Sequence, residues 1–415
     1  MPIRRSRCPC INTCRAISFR LSSIASRNFI DLEVTEVWRI PYVNPGAQFV
    51  EEKAELMPRI EAVLASGMHV GGPEIEALER EIGDYVGTRH AVALNSGTDA
   101  LIFGMIAAGI GPGDEVITPP NSFVASTAAI VRAGATPIFA DVRRDGLIDP
   151  EAVAAAVTSR TAAVMPVHLW GGICDMEALW AIAERHGLTI VEDAAQAMGT
   201  RYHNRRAGSL GTVGCFSAHP LKIFNALGDA GFITTDSDEI ASRVRLLRNH
   251  GLVDRDTVSE FGYVSRLDAL QAVVLRYRLG RLDEMIERRR SNAAFYRKLL
   301  KRAAIRLPEE KPYEFHTFVN FVSQCDRRDE LQKHLANKGV QTVVHYNTPI
   351  HLQPAAESLR CRKGQFPVTE RLCETILALP ANQTLTHDDV AYVCTEICAA
   401  LAAPIDGIYE RPSRE

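Results

Sequence analysis

The sequence predicts an α/β protein built on a mainly parallel sheet covered on both faces, followed by a smaller α/β unit. Two observations carry this. Short apolar and β-branched runs at 91–94, 115–118, 137–140, 162–167, 189–191, 213–216 and 232–234 are mostly separated by stretches with helical spacing, such as 175–186. Such alternation argues for parallel strands with helices on either side. A long charged stretch at 281–300 then suits a helix joining the sheet unit to a smaller one. The expected boundaries are an N-terminal extension at 1–38, a large unit at 39–285, a small one at 286–402 and a tail at 403–415.

Composition narrows the class further. The chain has 415 residues, 46% of them hydrophobic, enough for a large core in one or two domains. A net charge of -3 gives no footprint for nucleic acid. No apolar run reaches the length that spans a bilayer, so a soluble protein without a membrane partner is expected. The ten cysteines follow neither a zinc pattern nor a secreted disulfide spacing, which fits reduced thiols in a cytoplasm. No metal site is expected, since Cys8, Cys10 and Cys14 have no fourth ligand nearby. Residues 1–38 read differently: six arginines precede the first acidic residue, Asp31, in a Ser-rich tract. That composition suits a disordered extension, and leaves organellar import or an upstream mis-called start open.

Taken in order, helical spacing at 51–65 breaks at Gly71-Gly72-Pro73 and resumes at 74–86. The strand at 91–94 runs into Asn95-Ser96-Gly97-Thr98-Asp99-Ala100-Leu101, where the chain turns into a helix at small residues. Such a junction leaves backbone N–H groups and a positive helix end for a phosphate; Ser96 or Thr98 is equally a helix cap. After the strand at 115–118, Pro119-Pro120-Asn121-Ser122-Phe123 leads into a helix reaching Arg132. His168 follows the run at 162–167, as a site residue or a hydrogen-bonded core histidine. A helix is expected at 239–250, and segments 318–322, 328–338, 340–344 and 387–400 give the small α/β unit.

The chain is organised around residues 192–222, EDAAQAMGTRYHNRRAGSLGTVGCFSAHPLK. Asp193 falls just past the run 188–191, at the carboxyl end of a strand, where open α/β sheets gather ligand groups. Lys222 sits in a tract of Phe, His, Pro, Leu, Ile and Phe. Most lysines are solvated; desolvation here lowers the pKa toward a usable amine, able to form a Schiff base with an aldehyde cofactor.

Three blocks, Glu192-Asp193-Ala194-Ala195-Gln196, Ala207-Gly208-Ser209-Leu210-Gly211 and Phe216-Ser217-Ala218-His219-Pro220-Leu221-Lys222, together resemble the DegT/DnrJ/StrS group of sugar aminotransferases. The resemblance runs over about 40–400 and implies pyridoxal 5'-phosphate and the aspartate-aminotransferase fold (fold type I). By position it makes Lys222 the Schiff-base lysine and proton carrier. Asp193 pairs with the pyridinium nitrogen, Gln196 lies by the ring's phenolic oxygen, and Ser217 with Gly97 and Thr98 holds the phosphate. Phe123 stacks on the ring, although an aromatic at such a junction is more often core. His168, Arg266 and His345 are the implied substrate residues. Segment 261–268 resembles one that reaches into a partner subunit's site, which implies a homodimer with shared active sites. Where the family usually has an Asn donating to the cofactor phosphate, this chain has Val264.

The resemblance implies transamination of a nucleotide-linked keto-sugar by an amino-acid donor, glutamate, within amino-sugar, polysaccharide or glycoside biosynthesis. The motif at 95–101 looks more like members aminating the 3-keto position. Alternatives are a keto-cyclitol aminotransferase and a catalytically silent, cofactor-binding regulator of the same fold. Relatives that remove a sugar hydroxyl replace the lysine, so Lys222 counts against that activity. From another class, Gly208, Gly211 and Gly214 suggest a phosphate loop in a nucleotide-binding module, though the run precedes a strand instead of following one.

Overall fold

Three five-residue strands carry the site, and the order in which the sheet arranges them decides what meets what: β1 (His90–Leu94) lends its carboxyl end, β5 (Thr189–Asp193) a carboxylate and β8 (Val213–Ser217) a hydroxyl. The computed structural model describes residues 38–402; the expectations placed on the N-terminal extension and the tail lie outside them. With β2 (Glu115–Thr118), β3 (Thr136–Phe139), β4 (Thr161–Val164) and β9 (Gly231–Thr235), these strands form a seven-stranded sheet in the order β1-β9-β8-β5-β4-β2-β3. Only β9 runs against the others, pairing antiparallel with both β1 and β8. Short strands β6 (Arg201–Tyr202), β7 (Arg205–Arg206) and β10 (Glu314–Phe315) form a separate three-stranded sheet.

Strand alternation sends side chains into two cores. Ala91, Ala93 and Ile190 face one, and Val92, Leu94 and Val191 the other, as a sheet buried on both faces requires. The helices over it, in chain order, are α1 (Pro45–Ser66), α2 (Pro73–Val86), α3 (Gly97–Ala107), α4 (Val124–Arg132), α5 (Pro150–Ala156), α6 (Met176–His186), α7 (Asp238–Leu247) and α8 (Ala269–Leu279). Their ends are written locally. Asp175 caps α6 by accepting from Ala178 N–H, and Gly187 at φ 66° ends it, the left-handed stop that favours glycine. Helix α8 lies beyond the sequence expectations; its hydrophobic residues face several directions and give no clear stripe.

A second cluster gathers on α9 (Leu282–Leu299), β11 (Phe321–Gln324), α10 (Arg328–Asn337), β12 (Ile376–Leu379) and α12 (His387–Leu401), while α11 (Pro367–Thr375) sends Leu372 to the core of the large sheet. The apolar centre of the second cluster includes Tyr296, Phe321, Leu335, Leu377 and Val393. Strand β11 begins at Phe321, because Phe318 has φ 46° and turns the chain. The segment 340–344 makes only isolated bridges, Ile40↔Val340 and Val343↔Ala378. The described residues pack as one unit.

Candidate active site

At the carboxyl edge of the parallel strands, β1 leads directly into α3. Ser96 caps α3 by accepting from Asp99 N–H at 3.1 Å. Gly97 and Thr98 therefore occupy the first turn, whose N–H groups have no partner within the helix. A Cβ on Gly97 would stand 2.5 Å from Ser217 Cβ, so only glycine lets the helix end and the end of β8 close on one another. The result is a cradle of backbone donors and one hydroxyl, suited to a phosphate.

The same edge opens into a cavity of about 310 Å³. Gly97, Thr98, Phe123, Asp193, Gln196, Ser217, Lys222 and His345 all line it. Strand β5 runs two residues further than the apolar pattern indicated, so Asp193 is its last residue. The carboxylate is 4% exposed, and accepts from Ser126 Oγ at 2.7 Å and from Ala195 N–H at 3.2 Å. Burial raises its pKa, against the lowering effect of Ser126, Ala195 and Lys222. A carboxylate so placed calls for a cationic donor. Lys222, half-buried in the loop after β8, has its pKa lowered to about 8 by burial, with Asp193 opposing.

Gln196 is fixed by three partners: its Oε1 accepts from Trp170 N–H and Asn320 Nδ2, each at 3.1 Å, and its Nε2 donates to Tyr346 Oη at 3.3 Å. Asn320 in turn accepts from Tyr42 Oη at 2.6 Å. Burial pushes both phenols upward in pKa, so they stay protonated. Phe123, the residue before α4, is 55% exposed and walls the cavity, its ring 6.0 Å from that of Tyr346. His345 has its pKa lowered to about 4 by burial and by Lys222, and its Nε2 is buried with no hydrogen-bond partner among the described residues.

Two expected substrate residues stand elsewhere. His168 has no exposed surface and does not line the cavity. Its Nδ1 accepts from Cys174 N–H at 3.3 Å, which leaves the proton on Nε2 for Glu192 Oε2 at 3.0 Å. Its place matches the reading of a hydrogen-bonded core histidine. Arg266 is exposed, donates to Asn249 Oδ1 at 3.3 Å, and is not among the cavity residues.

Glu192 explains why two of the sequence blocks occur together. Its buried carboxylate accepts from His168 and from the N–H groups of Gly208, Leu210 and Gly211. The glycine turn thus wraps a carboxylate belonging to the chain itself, and the phosphate-loop alternative loses the donors it needs. Gly208 must be glycine, since φ is 87° and a Cβ would meet Phe216 at 2.3 Å.

Sequence reasoning missed Ser126, Tyr42 and Asn320. Ser126 follows Phe123 by three residues, one helical turn, and that spacing is the only signal for it. Nothing local points from Tyr42 to Asn320.

The residues present fit pyridoxal phosphate on three counts: a buried carboxylate without an ion pair among the described residues, an amine of depressed pKa in the same cavity, and a cradle of backbone donors that a Cβ would fill. Comparisons with known proteins agree. A model of the DegT/DnrJ/EryC1/StrS aminotransferase family matches residues 50–398. "Erythromycin biosynthesis sensory transduction protein EryC1" of Saccharopolyspora erythraea is 41% identical, over 87% of this chain and 99% of its own length. "dTDP-3-amino-3,4,6-trideoxy-alpha-D-glucose transaminase" of Streptomyces venezuelae is 42% identical, over 84% and 93%. The crystal structure of S. venezuelae DesV superposes with a TM-score of 0.85 at 41% identity, covering 86% of this chain and 97% of that one.

Proposed function

The chain belongs to the DegT/DnrJ/EryC1/StrS aminotransferase family, pyridoxal-phosphate enzymes of fold type I, and from that premise we propose that it aminates a nucleotide-linked keto-sugar at the 3-keto carbon with glutamate as donor. The observation that carries this is the joint presence of Lys222, Asp193, Gln196 and the α3 cradle in one cavity. The Streptomyces relative named as a transaminase of a dTDP-3-amino sugar supports the position and the nucleotide-sugar class.

When bound, pyridoxal phosphate supplies an aldehyde that exchanges amines and a protonated ring that draws off electrons. The chain does the rest. Gly97, Thr98 and Ser217 would hold the phosphate. Asp193 would accept a hydrogen bond from the ring nitrogen and keep it protonated. Gln196, pinned by Trp170, Asn320 and Tyr346, would serve the phenolic oxygen, and Phe123 would pack against the ring. Lys222, with its pKa near 8, is neutral often enough at physiological pH to take a proton at Nζ and return it. His345, neutral across that range, offers a hydrogen bond to the sugar.

Segment 261–268 carries exposed apolar side chains, with Phe261 97% exposed. Such a face supports a homodimer in which Arg266 serves the partner's cavity. A dilution series by analytical ultracentrifugation tests this, and a fully active monomer would overturn it.

A second reading draws on the name of the Saccharopolyspora relative, a "sensory transduction protein": a regulator that binds the cofactor. Incubating the purified protein with glutamate and a dTDP-linked 3-keto sugar, with products followed by mass spectrometry, separates the two. The proposal expects the amino sugar and 2-oxoglutarate in equal amounts. Glutamate converting the cofactor while no 3-keto sugar is aminated would overturn the proposed acceptor. A cofactor unmoved by any amino donor would favour the regulator.

A further inference from the structure

Behind the wall formed by Trp170 and Asn320 lies a second cavity of about 360 Å³, a size common among ligand sites. Its lining includes the apolar side chains of Leu169, Trp170, Leu307 and Val322, together with Arg144 and Arg306, both exposed. Among the described residues neither guanidinium has a hydrogen bond or ion pair, whereas the nearby Arg143 is held by Asp149 and Asp175.

His316 also lines this cavity although it is only 6% exposed. Its Nδ1 accepts from Phe318 N–H at 2.9 Å, so the neutral ring carries its proton on Nε2. No acceptor for that proton is found among the described residues. Burial, then the charges of Arg297, Arg290 and Lys311, keep the ring neutral by lowering its pKa well below the ordinary value. A donor facing the cavity without a protein acceptor, beside the two unpaired guanidinium groups, is a place where an anion is stabilised. Two of the carboxylates here are already engaged. Asp145 pairs with Lys311 Nζ at 2.6 Å, and Glu314 accepts from Ile173 N–H at 2.8 Å and Lys311 N–H at 3.2 Å. Glu309 stands exposed at the rim.

We propose that this cavity is a second ligand site, distinct from the catalytic one, taking an organic anion with a flat ring. The apolar side chains receive the ring; Arg144, Arg306 and the Nε2–H of His316 receive the anionic group. Asn320 lines both cavities, and Trp170 N–H donates to Gln196, so the two sites share one wall.

The test is calorimetric titration of the holoenzyme with phenyl phosphate, beside inorganic phosphate. Working on the holoenzyme keeps the cofactor's phosphate cradle filled. Expected is saturable binding of one molecule per chain, at least about tenfold tighter than inorganic phosphate. The double variant Arg144→Glu/Arg306→Glu should weaken it by more than about tenfold, while the rate at which glutamate converts the bound cofactor stays unchanged, since neither arginine lines the catalytic cavity. Absence of saturable binding at millimolar concentration, equal affinity for both probes, or binding untouched by the charge reversals would each overturn the proposal. This readout does not depend on which sugar the enzyme aminates.

Discussion

Removing the hydroxyl of Ser126 tests whether Asp193 is held as a carboxylate by its protein partners. Ser126 has one proton and two acceptors within reach, Phe123 O at 3.2 Å and Asp193 Oδ2 at 2.7 Å; the shorter, charge-assisted contact takes it. In Ser126→Ala the buried carboxylate keeps only Ala195 N–H among its hydrogen bonds. A hydrogen bond to a charged group is worth about 1.5–3 kcal/mol, so the ionised form loses that much and the already raised pKa of Asp193 rises further. Because the ring nitrogen is best bound by the carboxylate form, cofactor affinity should fall by roughly ten- to a hundredfold. The assay is titration of the apoprotein with pyridoxal phosphate, followed by fluorescence quenching, with thermal melting of the apoprotein as a check on folding. Affinity within about twofold of the natural protein, in a variant that melts normally, would refute the coupling.

Lys222→Ala should abolish the absorbance band that borohydride bleaches, with the fold retained; peptide mapping after reduction that finds the label on another lysine would sink the assignment. Burial disfavours the Lys222 cation, so the reactive amine should appear as pH rises through about 8, and labelling of the apoprotein by an aldehyde should follow that midpoint; one near the ordinary lysine value would show the amine to be solvated. Glu192→Ala leaves His168 Nε2–H and the N–H groups of Gly208, Leu210 and Gly211 without their acceptor. At about 1–3 kcal/mol for each buried orphan, chemical denaturation should register at least ~3 kcal/mol of lost stability, and a loss below ~1 kcal/mol would contradict the hub. Val264→Asn adds a donor at a 56% exposed position. The cradle of Gly97, Thr98 and Ser217 is expected to satisfy the phosphate already, so cofactor affinity should stay unchanged; a gain of about tenfold would show that the natural protein lacks a donor.

What the sequence determined by itself is what acts within a few residues. The start of α3 was legible because a cap is local: Ser96 acts on an N–H group one turn away. Strand positions followed from apolar runs, and the resemblance carried by the blocks around Asp193, Gln196, Ser217 and Lys222 marked the candidate site. Tertiary structure decided partners. Ser126 meets Asp193 across 67 positions and Tyr42 meets Asn320 across 278, and no periodicity encodes such distances. His168 is open between site and core in the sequence, and the fold places it against Glu192, away from the cavity. Gly208, Gly211 and Gly214 offered a phosphate loop only as a disfavoured alternative, and the fold brought a carboxylate of the same chain onto the N–H groups of Gly208, Leu210 and Gly211. In each case the residue type stated which bond was possible, and only the packing of distant segments, which sets burial and removes competing water, stated which bond was made.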